Sequence, residues 1–307
     1  MYKGFKKQWQ LWVLVFPLLI WLVLFAYRPL KGILIAFQDY SPFLAEKSPY
    51  IGLDNFKELM FGASKEYFWR AFRNTVIISL YGLGIGFPVP IILAILFHEL
   101  RRASYRKFTQ TAVYIPHFIS EVIVCSMVVT ALGMNTGLIN VLLEKIVTLF
   151  GGEYKQIHFL ADSGKFRMIY TLTGIWKESG FASIVYFAAL CGIPSELYEA
   201  ARVDGAGRFR QIWSVSLPGI LPTIVIMLII RIGNILNVGY ERVLLLYNPG
   251  IYDKADIIST YTYRLGIQTH PDYGISTAAS LINCVIGFTL VVFANKFSKR
   301  FSESTLW

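Results

Sequence analysis

The sequence predicts an all-α membrane protein with six transmembrane helices, and three observations carry that expectation. Of 307 residues, 55% are hydrophobic and only 16% charged, an apolar share above the ~45–50% of soluble domains. Six mostly apolar runs recur, each near the ~20 residues that cross a hydrocarbon core of roughly 30 Å as a helix. Lys and Arg gather in the short segments between alternate runs, the bias that orients membrane helices with their basic loops inside.

The runs are residues 11–27, 74–97, 111–134, 168–190, 221–246 and 276–294. The first follows Lys3, Lys6 and Lys7 and has the basic start of a signal peptide. Its 17 residues are long for such a segment and no A-x-A-like site follows, so it is read as a retained span. The short basic segments are the N-terminus, the loop with Arg101, Arg102, Arg106 and Lys107, the loop with Arg202, Arg208 and Arg210, and the C-terminus with Lys296, Lys299 and Arg300. With six spans all four lie on one side, which places both termini in the cytoplasm.

The 28–73 segment is the longest outer loop and carries seven Lys or Arg with five acidic residues, so its charge says little about orientation. Within it "GLDNFKELMF" and "EYFWRAFRNT" have apolar residues at helical spacing and are expected to lie along the outer interface. Residues 1–73 thus read as a first span with its outer loop, 74–295 as a core of five spans, and 296–307 as a tail.

The net charge of +10 does not indicate nucleic acid, because the basic residues are spread along the chain instead of forming one stripe. Cys125, Cys191 and Cys284 are odd in number, far apart and in or beside spans; they form neither a disulfide framework nor a zinc motif. No phosphate-binding loop or nucleophile motif occurs, and His98, His117, His158 and His270 share no ligand spacing. No catalytic or metal site is expected, and the chain does not read as an enzyme.

One loop differs from the others. In "ELYEAARVDGAGRFRQIWSVSLP", residues 196–218, Pro194 closes the fourth span and Ser195 can cap a helix with Glu196 in its first turn. That helix should run to about Val203, bend at Gly205 where a missing Cβ removes the penalty, and resume as a second helix outside the bilayer until Pro218. Phe209, Ile212 and Trp213 share one face of the second helix, which is expected to pack on the chain's own cytoplasmic surface. Ala200, Ala201, Gly205, Ala206 and Gly207 leave room for another backbone to approach.

The stretch "EAARVDGAGRFRQIWSVSLP" resembles the EAA loop of permease subunits of bacterial ABC importers. Glu199, Ala200, Ala201, Gly205, Leu217 and Pro218 match as they stand, and Val215 replaces an isoleucine. "GLDNF", Asn74–Thr75, "IPHFIS", "GLIN" and "FAALCGIPSELYEAA" resemble the sugar-uptake branch of that family, and "YERVLLLYNPGIYDKADIISTYTYRLG" its permeases for oligosaccharides or polysaccharide fragments.

The resemblance implies a coupling helix that docks on a cytoplasmic ATPase through Glu199, Ala200, Ala201, Asp204, Gly205 and Ala206. It also implies a second permease as heterodimer partner, an ATPase dimer that binds ATP and Mg while this chain binds no cofactor, an extracytoplasmic sugar-binding protein, and residence in the bacterial inner membrane. Glu199 could alternatively pair only with Arg202 on its own helix.

A permease needs a polar path, and charges kept at bilayer depth usually face the bundle interior or water. Trp176, Glu178, Arg231, Asn234, Asn237, Tyr240 and Glu241 are the candidates, with Lys177, Tyr186 and Arg242 beside them. Arg231, Asn234 and Asn237 recur every three residues and would share one side of a helix with Glu241. Aromatic rings can stack on sugar faces while amides bind hydroxyls. The same residues could instead glue helices together, for example through an Arg231–Glu178 pair. The rival functions are an ion- or proton-coupled transporter, which would favour inverted repeats, and a non-transporting membrane scaffold.

Overall fold

The computed structural model describes residues 9–267 and 271–298. Lys3, Lys6, Lys7, His270, Lys299 and Arg300 lie outside the described residues. Among those described, every regular element is helical, and one antiparallel bridge pairs Gln38 with Tyr50. The helices used below are α1 (Trp9–Leu22), α2 (Asp54–Phe61), α3 (Lys65–Tyr81), α4 (Pro88–Glu99), α5 (Ala103–Tyr114), α6 (Glu121–Ala131), α7 (Leu138–Leu149), α8 (Ser163–Cys191), α9 (Ser195–Val203), α10 (Arg208–Gln211), α11 (Leu217–Gly233), α12 (Tyr240–Leu246), α13 (Tyr252–Ala255), α14 (Ile258–Ile267) and α15 (Tyr273–Ser298).

Among the described residues, four continuous helical stretches are long and apolar enough to cross a membrane: Trp9–Phe37, Lys65–Glu99, Arg208–Gly233 and Tyr273–Lys296. Two bent pairs bring the number to six if each counts as one span. One is Ala103–Phe118 with Glu121–Ala131, bent by 99°, and the other is α8 with α9, bent by 70°.

The bends have local causes. Pro116 supplies no N–H for a helical bond, the chain turns extended at Ile119 and Ser120, and the Ser120 hydroxyl accepts from the Ile123 amide at 3.4 Å to restart the helix. The third apolar run, 111–134, is therefore covered by two helices at an angle and not by one continuous span. The Lys65–Glu99 stretch stays continuous through a π-helical turn at Gly82–Gly86, just before Pro88, whose missing donor falls at a first helical position.

The expected fifth span over 221–246 is corrected at both ends. It begins at Arg208, since α10 runs through a π-helical turn into α11, so the loop has no separate second helix. It ends at Gly233, where Asn234 and Asn237 close turns on Ile230 and Asn234, and the chain restarts as α12 after Gly239. Asn and Gly compete poorly as helix formers and well as helix ends.

The chain divides into two compact units, one from Met1–Phe68 with Tyr261–Ile282 and one from Trp69–Thr260 with Asn283–Trp307. This grouping puts residues 261–282 with the N-terminal segment. In the first unit Asn55 of "GLDNF" is buried and donates to the Ala36 and Gln38 carbonyls at 3.0 Å each. Phe37 tilts on Phe56 at 5.3 Å. α2 forms within the outer loop as its spacing predicts. No residue of α1 is buried.

In the second unit α8 is the central helix. Its Phe166 and Tyr170 join Ile78, Cys125, Val243, Leu246 and Ile257 in one core cluster, while Tyr186 and Leu190 join Ala94 and Ile220 in another. A Cβ on Gly180 would overlap the Val113 carbonyl, so α8 and α5 touch backbone to backbone there, the use of small residues expected between membrane helices. The Asp162 side chain caps α8 through the Gly164 amide. The Lys165 ammonium beside it, with that amide, holds the Asp162 carboxyl below its usual range.

Candidate functional site

A cavity of about 490 Å³ opens between α3, α4, α8, α11 and the segment that links α11 to α12, within the ~300–1,000 Å³ of small-ligand sites. Apolar side chains such as Ile78, Leu83, Phe87 and Met227 make much of its wall. The polar groups are Ser79, Glu178, Tyr170, Arg231, Asn234, Asn237 and Arg242. α8 supplies Thr171, Gly174, Glu178, Ala182 and Tyr186, which follow the three- and four-residue steps of a single helix face.

The break after Gly233 makes the far wall. Asn234 turns its amide onto the Ile230 carbonyl at 3.2 Å, and Asn237 donates to the Asn234 side-chain oxygen at 3.4 Å. Ser79 donates to the Ile235 carbonyl, and the Gly239 amide donates to the Tyr170 hydroxyl at 3.0 Å. The expected stripe on one side of a helix is thus a turn, because the helix stops after Gly233. Arg231, Asn234 and Asn237 still reach the same cavity. Two glycines leave room for guanidinium groups: a Cβ on Gly82 would lie 3.2 Å from Arg231, and one on Gly174 would overlap Arg242.

Glu178 and Arg242 of the wall belong to an ion network that joins α6, α8, α12 and the 115–118 turn. Glu121 in the first turn of α6 accepts from Arg242 Nε at 2.5 Å and from Lys177 Nζ at 3.3 Å. Glu178 meets Lys177 at 3.5 Å, Arg242 at 3.6 Å and His117 Nδ1 at 3.3 Å. The Glu121, Lys177 and Arg242 side chains are only 14%, 11% and 13% exposed. Arg242 also stands over the Tyr170 ring at 5.3 Å, and His117 stacks flat on Phe181 at 4.0 Å. Charges this deep persist when each is paired and hydrogen-bonded.

Of the residues singled out by sequence, Glu178, Arg231, Asn234 and Asn237 line the cavity, whereas Trp176, Tyr240 and Glu241 do not. Trp176 lies two positions from Gly174, about 200° round the helix, and is 48% exposed on the other face. Glu241 is exposed at the start of α12. Glu178 pairs with Arg242, Lys177 and His117, not with Arg231 as the alternative reading had it. Tyr186 lines the cavity and meets Phe87 edge-on at 6.4 Å.

Glu121 and His117 were missed. Their signal is the pair of polar residues in "IPHFISEVIV", a capped acidic restart inside an otherwise apolar run.

On the loop, α9 starts at Ser195 itself, with Pro194 extended before it and no side-chain cap. It ends in a Schellman motif: the Gly205 amide donates to Arg202 O and the Ala206 amide to Ala201 O, with Gly205 at φ +75°. Glu196, Glu199, Ala200 and Val203 fall on one face at helical spacing and are all exposed, Val203 at 88%. Glu199 forms no ion pair with Arg202. Asp204 and Gly205 are exposed and Ala201 and Ala206 half-buried. Phe209 and Trp213, expected to pack inward, are 83% and 72% exposed. The helix is tied down by Tyr198, whose hydroxyl pairs with the Ser216 hydroxyl at 3.0 Å and whose ring lies 5.8 Å from His98.

Known proteins of similar sequence and structure place this arrangement. Protein LplB of Bacillus subtilis (strain 168) is 42% identical over 303 residues, 98% of this chain and 92% of LplB. The polygalacturonan/rhamnogalacturonan transport system permease protein YteP of the same organism is 41% identical over 302 residues, 98% of this chain and 91% of YteP. A chain in the crystal structure of the bacterial alginate ABC transporter in complex with alginate pentasaccharide-bound periplasmic protein superposes with a TM-score of 0.89 at 43% identity, over 100% of this chain and 99% of that one. With a membrane-spanning helical core, a polar-walled cavity and a family pattern that matches residues 86–303, the chain belongs to the binding-protein-dependent transport system inner membrane component family.

Proposed function

We propose that the chain is the permease subunit of an ATP-driven ABC importer for oligosaccharides and forms half of the translocation path. The cavity carries this reading: it sets hydroxyl-binding amides and charged groups against apolar walls, which suits a ligand with polar rims and apolar ring faces. YteP and the alginate transporter are named for polysaccharide substrates. Glu178, Arg231, Asn234 and Asn237 are the path residues; Trp176, Tyr240 and Glu241 lie outside this cavity's lining.

Six spans, counting each bent pair as one, put the basic loops and both termini in the cytoplasm. The α9 face of Glu196, Glu199, Ala200 and Val203, with Ala201, Asp204, Gly205 and Ala206 at its end, is then the dock for a cytoplasmic ATPase dimer, which holds ATP and Mg. A second permease completes the path, and an extracytoplasmic sugar-binding protein delivers the ligand. ATPase closure would pull α9 and, through Tyr198 and Ser216, the start of the fifth span.

A tagged pull-down from mild detergent tests this, with the wild type beside Glu199→Lys. The wild type should recover an ATPase and a second permease, and the variant should lose only the ATPase. Recovery of no ATPase from the wild type would defeat the importer reading.

A further inference from the structure

The first part of the third span leaves one helix face exposed. In the helical stretch Ala103–Phe118, Arg106, Gln110, Val113 and Tyr114 are half-buried. The Arg106 guanidinium lies 5.8 Å from the centre of the Phe187 ring, Tyr114 meets Phe97 edge-on at 6.0 Å, and the Val113 carbonyl abuts Gly180. Ser104, Lys107, Phe108, Thr111, Ala112 and Ile115 follow the three- and four-residue steps of the opposite face. All six are exposed, Phe108 at 71% and Ile115 at 55%.

This face changes character along its length. Phe108, Ala112 and Ile115 make one end apolar, whereas the other end carries Lys107, and the exposed Arg101 and Arg102 immediately precede α5. None of these three cations forms an ion pair among the described residues. Between His98 and Gln110, Glu99 is the single acid against four Lys or Arg. The first turn of α5 has no side-chain cap, so the positive pole of the helix adds charge of the same sign.

Cations at the edge of an exposed apolar stripe match a molecule with an anionic head and apolar tails. We infer that this face is a binding site for an anionic phospholipid of the cytoplasmic leaflet. Arg101, Arg102 and Lys107 hold the phosphate, and an acyl chain lies along Phe108, Ala112 and Ile115. Basic clusters just inside a span attract anionic lipid, and guanidinium groups bind phosphate through paired donors. A free phosphate would satisfy the cations and leave the apolar stripe uncovered. The inference rests on the orientation given above, which puts Arg101 and Arg102 in the cytoplasm, and is independent of the cargo.

The test places the full-length chain, copurified with its partners, in vesicles of phosphatidylcholine and phosphatidylglycerol. A trace of photoactivatable phosphatidylglycerol is added, or of a photoactivatable phosphatidylcholine with the same tails, and crosslinks to residues 101–115 are counted by mass spectrometry. Wild type should favour phosphatidylglycerol about tenfold. That preference should fall about fivefold in Lys107→Gln, fall further in the double variant Arg101→Gln with Arg102→Gln, and persist when both arginines become lysine. No crosslink to this segment, equal labelling by the two lipids, or a preference unchanged in the glutamine variants would overturn the assignment. Loss of labelling in excess inorganic phosphate would also overturn it, by marking a free-anion site. If Ala103→Cys in intact cells took up a membrane-impermeant maleimide beyond the parent level, the orientation would fall, and this inference with it.

Discussion

Replacing Arg242 by Met removes the closest cation from Glu121 while keeping most of the side-chain volume. Glu121, 14% exposed, would retain only Lys177 at 3.3 Å. Removing one partner of a buried ion pair costs about 3–5 kcal/mol, and the surviving Lys177 contact puts this case near the lower figure, ~3 kcal/mol. At ~2 °C per kcal/mol for a chain of this size, the unfolding temperature in detergent should drop by about 6 °C, read by tryptophan fluorescence. Glu121→Gln should cost a similar amount, because it leaves Lys177 and Arg242 with Glu178 as their one remaining carboxylate in the network. The double variant removes a charge from each side, so it should lose much less than the sum, with a coupling of at least ~1.5 kcal/mol. If the two single losses simply add, to within ~0.5 kcal/mol, the network does not hold these helices together and the reasoning fails.

Two further changes probe other parts of the chain. A Cβ at Gly205 would meet nothing within 4 Å, so only the backbone at φ +75° resists it; that costs about 1–2 kcal/mol for ordinary residues and less for Asn. Gly205→Asn should therefore keep ATPase association in the pull-down while β-branched Gly205→Val weakens it, and equal behaviour of the two would remove the bend from the account. Asn74 is fully buried and donates to the Asp253 and Asp256 carbonyls at 3.1 and 3.0 Å while accepting from Arg167 at 2.8 Å. Asn74→Ala removes these three hydrogen bonds, at about 0.5–1.5 kcal/mol each, and a fall in unfolding temperature of less than 2 °C would contradict that role.

What the sequence made legible follows from what is local. Apolar length and basic loops predicted a multi-span helical protein, since both depend on residues close together in the chain. The Gly205 bend was readable for the same reason: a glycine after a helix-forming run has few other uses. The breaks were harder. Ser120 and the Asn234–Gly239 segment sit inside apolar runs, and hydropathy averages over them. The join of Phe209 and Trp213 to the fifth span was hidden because loop and span are both helix-forming, so no composition change marks where one becomes the other.

The ion network was out of reach of spacing altogether, since Glu121, Lys177 and Arg242 are 56 and 65 residues apart and only the fold brings them together. Local preference even argues against part of it. Glu121 lies in the first turn of α6, where the positive helix pole favours an acid, but Arg242 lies in the first turn of α12, where the same pole repels a cation. Something nonlocal must offset that repulsion, and the two carboxylates at 2.5 and 3.6 Å do so. Both helices begin just after a break, so each would otherwise be free to choose its start. The pairing of Glu121 with Arg242, braced by Lys177 and Glu178 on unbroken α8, fixes both restarts against the same helix. That is why the cavity wall, made partly from the second break, has a defined shape at all.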